Sequence, residues 1–77
     1  MTSPGLPTVR SRDLIRALEQ MGFHLLRKSK GSHWQFGHPD GRRTTVPVHK
    51  GQGIGPGLLR KILRDIEIDV QELHNWL

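Results

Sequence analysis

The stretch KSKGSHWQFGHPDGRRTTVPVHKG, residues 28–51, carries three of the chain's five histidines and five lysines or arginines, against a single acid, Asp40. His33 follows a Lys30-Gly31-Ser32 step, and His49 closes a Thr-Thr-Val-Pro-Val run. Lys28, Arg42, Arg43 and Lys50 lie close to them in sequence. Imidazole exchanges a proton near neutral pH and so suits general acid or base work. Lysine and arginine bind phosphate and offset the negative charge that grows on a phosphorane-like transition state. Such a set could cut a ribose–phosphate chain without a metal. The 2′-hydroxyl attacks its neighbouring phosphorus, a base takes its proton, and a donor protonates the leaving oxygen. Ser32 and the amides around Gly31 could hold a phosphate oxygen. Four readings compete for the stretch: a solvated hairpin, a metal site, a nucleic-acid-binding face and an active site.

The metal reading is the weakest. His33, His38 and His49 lack the short spacings of zinc ligands, and the chain has no cysteine to join them. No metal or other cofactor is expected.

Elements must place these residues before any of the other readings can hold. The lead-in over residues 1–10 contains Pro4, Gly5 and Pro7 and reads as flexible; residues 11–77 read as one domain. Ser11 is expected to cap a helix whose Leu14, Ile15, Leu18 and Met21 share one face, with Gly22 as its stop. Strands follow over 23–28, 32–38 and 42–49, reversed at Lys30-Gly31-Ser32 and at Pro39-Asp40-Gly41. A glycine-rich loop over 50–56 leads to a helix that starts at Pro56 and repeats Leu58, Leu59, Ile62 and Leu63. Asp69 and Glu72 have capping-box spacing ahead of a short last helix, from which Trp76 is expected to close the core. The fold class is α+β, with helices on one face of a three-stranded antiparallel sheet.

Strand alternation then sorts the chemistry. Trp34, Phe36, Val46 and Val48 take the core side. His33, Gln35, Arg43, Thr45, Pro47 and His49 take the open side, with Lys28 and Lys30 at its edge. His38 has the opposite parity to His33, and His24 and His74 read as structural or solvated.

Composition agrees with a polyanionic partner. The formal charge is +5, and between Phe23 and Arg64 nine lysines or arginines face one acid. The tail from Asp65 reverses this, with four acids and no lysine or arginine. Arg60, Lys61 and Arg64 extend the positive field along the second helix. No run approaches the length of a membrane span and no signal-peptide core follows Met1, so a cytoplasmic protein is expected.

Several spaced motifs together resemble one family. The run Lys30-Gly31-Ser32-His33, the run from His38 to Gly51, Ser11-Arg12-Asp13-Leu14-Ile15, and Leu59-Arg60-Lys61-Ile62-Leu63 occur in the order seen in HicA (YcfA-like) toxins. The resemblance spans roughly residues 10–75. It departs at Trp34, after the histidine, and in the glycine-rich loop 51–57, where the family's linker usually bears Lys or Glu.

The resemblance implies a double-stranded-RNA-binding-domain-like fold, α-β-β-β-α with a short extra C-terminal helix. It also implies a metal-independent mRNA interferase that blocks translation and is neutralised by a HicB-type antitoxin. The catalytic role falls on His33, with Lys28, Lys30, Ser32, Arg42, Arg43 and Lys50 as RNA contacts and His49 as a candidate second proton donor. The alternatives are a non-catalytic RNA-binding module on the same fold and a module whose basic face binds only an acidic protein.

Overall fold

The computed structural model describes residues 8–48 and 53–77. In chain order the elements are β1 (Val9–Arg10), α1 (Ser11–Met21), β2 (His24–Ser29), β3 (His33–Gly37), β4 (Arg43–Pro47), β5 (Gly53–Ile54), α2 (Pro56–Ile66) and α3 (Val70–Trp76). The helices arise where the periodicity places them. Leu14, Ala17 and Leu18 of α1 and Leu59, Ile62, Leu63 and Ile66 of α2 are buried at three- and four-residue intervals. Strands β2, β3 and β4 form an antiparallel sheet in that order. Phe36 and Val46 of the sheet meet Leu14, Leu18, Leu59, Ile62 and Leu73 in one apolar core, to which Phe23 belongs. The architecture is the expected α+β arrangement, consistent with a double-stranded-RNA-binding-domain-like order. No helix among the described residues is long and apolar enough to cross a membrane.

Three local expectations change. Val9 and Arg10, assigned to the flexible lead-in, instead form β1 and pair antiparallel with β5. That ladder brings Val9 and Ile54, both buried, into the core, so Ile54 is an anchor within the segment read as a loop. Ser11 does not cap α1: Arg10 holds the cap position without a side-chain bond, and Ser11 Oγ donates to the Pro47 carbonyl at 2.8 Å. Trp76 does not close the core; it is 37% exposed, and Leu73 is the buried residue of α3. Pro56 in the first turn of α2 and the Asp69 cap, which accepts from the Glu72 amide at 2.8 Å, stand as expected.

Helices α1 and α2 end in the same way. After Met21, Gly22 takes φ 103°, its N–H reaches the Glu19 carbonyl, and the Phe23 N–H reaches the Leu18 carbonyl. After Ile66, Glu67 takes φ 61°, its N–H reaches Arg64, and the Ile68 N–H reaches Leu63. This paired bonding satisfies two of the four carbonyls that any helix leaves open at its end. The carbonyls of Met21 and Ile66 are met by side chains of the β3–β4 connection.

That connection is a tight reversal. The Gly41 N–H bonds the His38 carbonyl at 2.9 Å, with Pro39 and Asp40 between them and Gly41 at φ 102°. His38 Nδ1 accepts from the Asp40 N–H at 3.1 Å, which leaves Nε2 to donate to the Met21 carbonyl at 3.2 Å. Arg42 donates from Nε to Asp40 Oδ2 at 2.8 Å and from a terminal nitrogen to the Ile66 carbonyl. The guanidinium also stands 5.0 Å from the centroid of the buried Phe23 ring, against which His38 packs edge-on. On β4, buried Thr44 donates to Asp65 at 3.0 Å, and Lys61 reaches the same carboxylate oxygen at 3.3 Å.

Removing the guanidinium leaves the Ile66 carbonyl and the Asp40 carboxylate without their charged partner. Arg42→Ala is expected to destabilise the fold by about 1–3 kcal/mol, read as a lower urea midpoint at unchanged slope. The Asp40 carboxyl is held below its ordinary range, chiefly by the hydrogen bond from the Arg42 amide and then by its side chain, against some desolvation. A carboxyl with a lowered folded pKa stabilises above its unfolded value, and that contribution is lost as pH falls through the folded one. Stability of the wild type should therefore drop as pH falls below about 4, and Asp40→Asn should flatten that drop.

Candidate nucleic-acid interface

The β3–β4 register sets the open face. His33 pairs with Pro47, Gln35 with Thr45 and Gly37 with Arg43, and paired residues share a face. Trp34 pairs with Val46 and Phe36 with Thr44 on the helix side, where Phe36, Val46 and Thr44 are buried. His33, Gln35, Arg43 and Thr45 are all exposed and lie together, as strand parity predicts. His38 lies with the helix ends, away from this group.

Strand β2 adds what alternation alone does not reach. Its register slips between Leu25 and Arg27, so Arg27 pairs with Gln35, Lys28 with Trp34 and Ser29 with His33. The slip is a bulge at Leu26, and each residue beyond it changes face. Lys28, expected at the edge of the open face, moves to the Trp34 side, where its Nζ stands 4.2 Å from the indole centroid. Arg27 takes the open face in its place, and no pattern in the sequence points to the exchange. Leu26 lies across Gly37: a Cβ on that glycine would meet Leu26 Cδ1 at 2.7 Å.

Two bonds bracket His33. The Ser32 carbonyl accepts from the Val48 N–H at 2.7 Å, tying the turn before His33 to the end of β4. The partner of His33, Pro47, is tied to the start of α1 by Ser11. The turn itself is strained. Gly31 stands at φ 74° and Ser32 at φ 67°, where a side chain is disfavoured. The imidazole folds back toward this turn, so that a Cβ on Gly31 would lie 3.8 Å from His33 Nδ1. Ser32 is exposed.

The remaining expected contacts divide. Arg43 is exposed on the open face. Arg42, one residue earlier, has its guanidinium bound to Asp40 and Ile66 and serves the fold. The side chain of Lys30, together with His49 and Lys50, lies outside the described residues. Among the described residues no three His, Cys, Asp or Glu side chains are grouped as metal ligands.

Two clefts border these elements. One, of about 270 Å³, is lined by Leu26, Gln35, Arg43, Thr45 and Asp65, with Phe36 and Thr44 beneath. The other, of about 620 Å³, lies between α1 and α3 against Arg10, Asp13, Arg16, His74 and Trp76, and none of the expected site residues lines it. The smaller cleft opens on the face that carries Gln35, Arg43 and Thr45, and His33 lies on that face outside its lining. A basic face of exposed arginines beside a held histidine can bind a phosphate chain and exchange a proton with it.

A sequence model of the family described as the HicA toxin of bacterial toxin-antitoxin matches residues 11–68. The match contains every residue expected at the site and leaves out β1 and α3. No curated protein matches the chain.

The strained turn yields a test of its own. Ser32→Gly relieves the positive φ and is expected to raise stability by about 1 kcal/mol, seen as a higher urea midpoint. Ser32→Ala keeps the strain and should not raise it.

Proposed function

The chain belongs to the HicA toxin family of bacterial toxin–antitoxin systems, and on that premise we propose that it is an endoribonuclease that cuts mRNA without a metal ion. Family membership makes it a toxin with an antitoxin partner and supports nuclease activity. One observation carries the finer reading: His33 is exposed on the same open sheet face as Arg27, Gln35, Arg43 and Thr45, and its strand is paired on both sides.

The reaction is a transesterification. The ribose O2′ forms a bond to the adjacent phosphorus, and the bond from phosphorus to O5′ of the next nucleotide breaks. The 2′-hydroxyl proton leaves to a base, and O5′ gains a proton from an acid. The products are a 2′,3′-cyclic phosphate and a 5′-hydroxyl. His33 serves one of the two proton transfers, with His49 as the candidate for the other. Arg27 and Arg43 neutralise the phosphate, with Ser32 at the turn, and Lys30 and Lys50 join them on the sequence pattern alone. Lys28 reaches the flanking chain from the Trp34 side of the sheet edge. Arg42, engaged by Asp40 and Ile66, positions the hairpin. Each exposed arginine contributes modestly, and the set acts collectively and weakens with salt. A HicB-type antitoxin, acidic where this face is basic, would cover His33, and the toxin would act in the cytoplasm on mRNA.

His33→Ala is the direct test. The purified variant should retain its fold by circular dichroism, bind RNA within a few-fold of wild type, and lose cleavage and growth arrest. Cleavage at wild-type rate by the alanine variant would remove His33 from catalysis. RNA binding by a wild type that never cuts would favour a non-catalytic RNA-binding module. Cleavage that continues in excess chelator is the expected result for a metal-independent reaction, and its loss would overturn that part.

A further inference from the structure

We infer that the small cleft on the sheet face that carries His33 is a subsite for one unpaired RNA base, adenine by preference, and that Gln35 reads it. The inference rests on the ribonuclease reading of this face and adds to it the basis of sequence choice. The cleft, about 270 Å³, falls just below the usual range for drug-sized ligands and suits a single planar group. Its lining combines what an unpaired base needs. Leu26, 51% exposed, offers an apolar surface, held in place because Gly37 beneath it has no side chain. Arg43 also lines the cleft and supplies a planar guanidinium on which a base can stack.

Gln35 lies at the centre, opposite Thr45 on one side and Arg27 on the other. Its amide offers an acceptor and donors side by side, the complement of the adenine N6 and N7 edge. Asp65 also lines the cleft. Its Oδ2 already accepts from Thr44 and Lys61, so only the second carboxylate oxygen is left to accept from an exocyclic amine, and its charge disfavours a phosphate there. The cleft therefore takes a base, and Arg27, outside its lining on the same face, is left for the chain. Gln35 and His33 share a face two residues apart, a separation of about 7 Å. The phosphate attacked at His33 and the base read at Gln35 therefore belong to the same or adjoining nucleotides.

Binding measured on His33→Ala protein separates this subsite from catalysis, because the oligomers stay intact. Fluorescence anisotropy would compare a short single-stranded oligouridylate with the same oligomer carrying one central adenine, cytosine or guanine. The adenine oligomer should bind roughly tenfold more tightly than the uridylate. Adding Gln35→Ala should bring the four oligomers to within about twofold. Thr45→Val, which keeps the side-chain shape, should narrow the preference in the same direction. Gln71→Ala, on the exposed side of α3, should leave it intact. Thermal melts of each variant identify any that fails to fold, and Gln35→Met then replaces Gln35→Ala. Equal affinity for all four oligomers, or an adenine preference that survives loss of the Gln35 amide, would overturn the subsite. A preference that depends on Gln35 in a protein whose wild type never cuts would sustain the subsite and refute the ribonuclease reading.

Discussion

Each of the two long helices stops with a last carbonyl, that of Met21 or of Ile66, which its own terminal bonding does not reach. The chain meets both needs from a single five-residue connection, through His38 to Met21 and Arg42 to Ile66. Buried carbonyls without partners cost on the order of 1–3 kcal/mol each, a large share of the stability of a 77-residue chain without cysteine. This clasp fixes the β3–β4 hairpin against the helix ends. Once Phe36 and Val46 face the core under that clasp, His33, Gln35, Arg43 and Thr45 must face away from it. The position of the candidate catalytic histidine thus follows from how two helices end.

The far end of the same hairpin is held differently. Val48 reaches back to Ser32 and ties the strained turn before His33, and Ser11 reaches from α1 to Pro47, the partner of His33. A positive φ at a serine persists only where surrounding bonds over-determine it. Here the bond to Ser32 comes from Val48, just past the strand that pairs with His33, and that strand is itself bonded to α1 through Pro47. The hydroxyl that a sequence reading gives to helix capping is used to hold the site.

Neighbouring cations of one sign do different work because of where the backbone points them. Arg42 closes the core while Arg43 stays on the surface, and the bulge at Leu26 sends Lys28 to Trp34 and Arg27 to the open face. The same bulge lays a leucine over Gly37 and gives a charged surface one apolar patch beside its amide and hydroxyl. A surface of charge alone would hold any phosphate chain equally. An apolar patch adds a place for a base to pack, and a neighbouring amide the donors and acceptors that tell one base from another.

Much of this is legible in the sequence. Periodicity marked α1 and α2, Pro39-Asp40-Gly41 marked the reversal, and alternation separated His33 and Arg43 from Phe36 and Val46. These succeed because they depend on residues a few positions apart, whose geometry is set by the backbone period. The pairing of β1 with β5, the bond from Ser11 to Pro47 and the roles of Arg42 and Arg27 were not legible. Each depends on a partner far along the chain or, for Arg27, on a single extra residue that reverses parity without leaving a compositional mark. The sequence by itself determined that a histidine would stand exposed in a basic hairpin and which family its motifs resemble. Only the tertiary structure decided which cations share its face, because that choice is made where distant segments meet and satisfy one another's backbone groups.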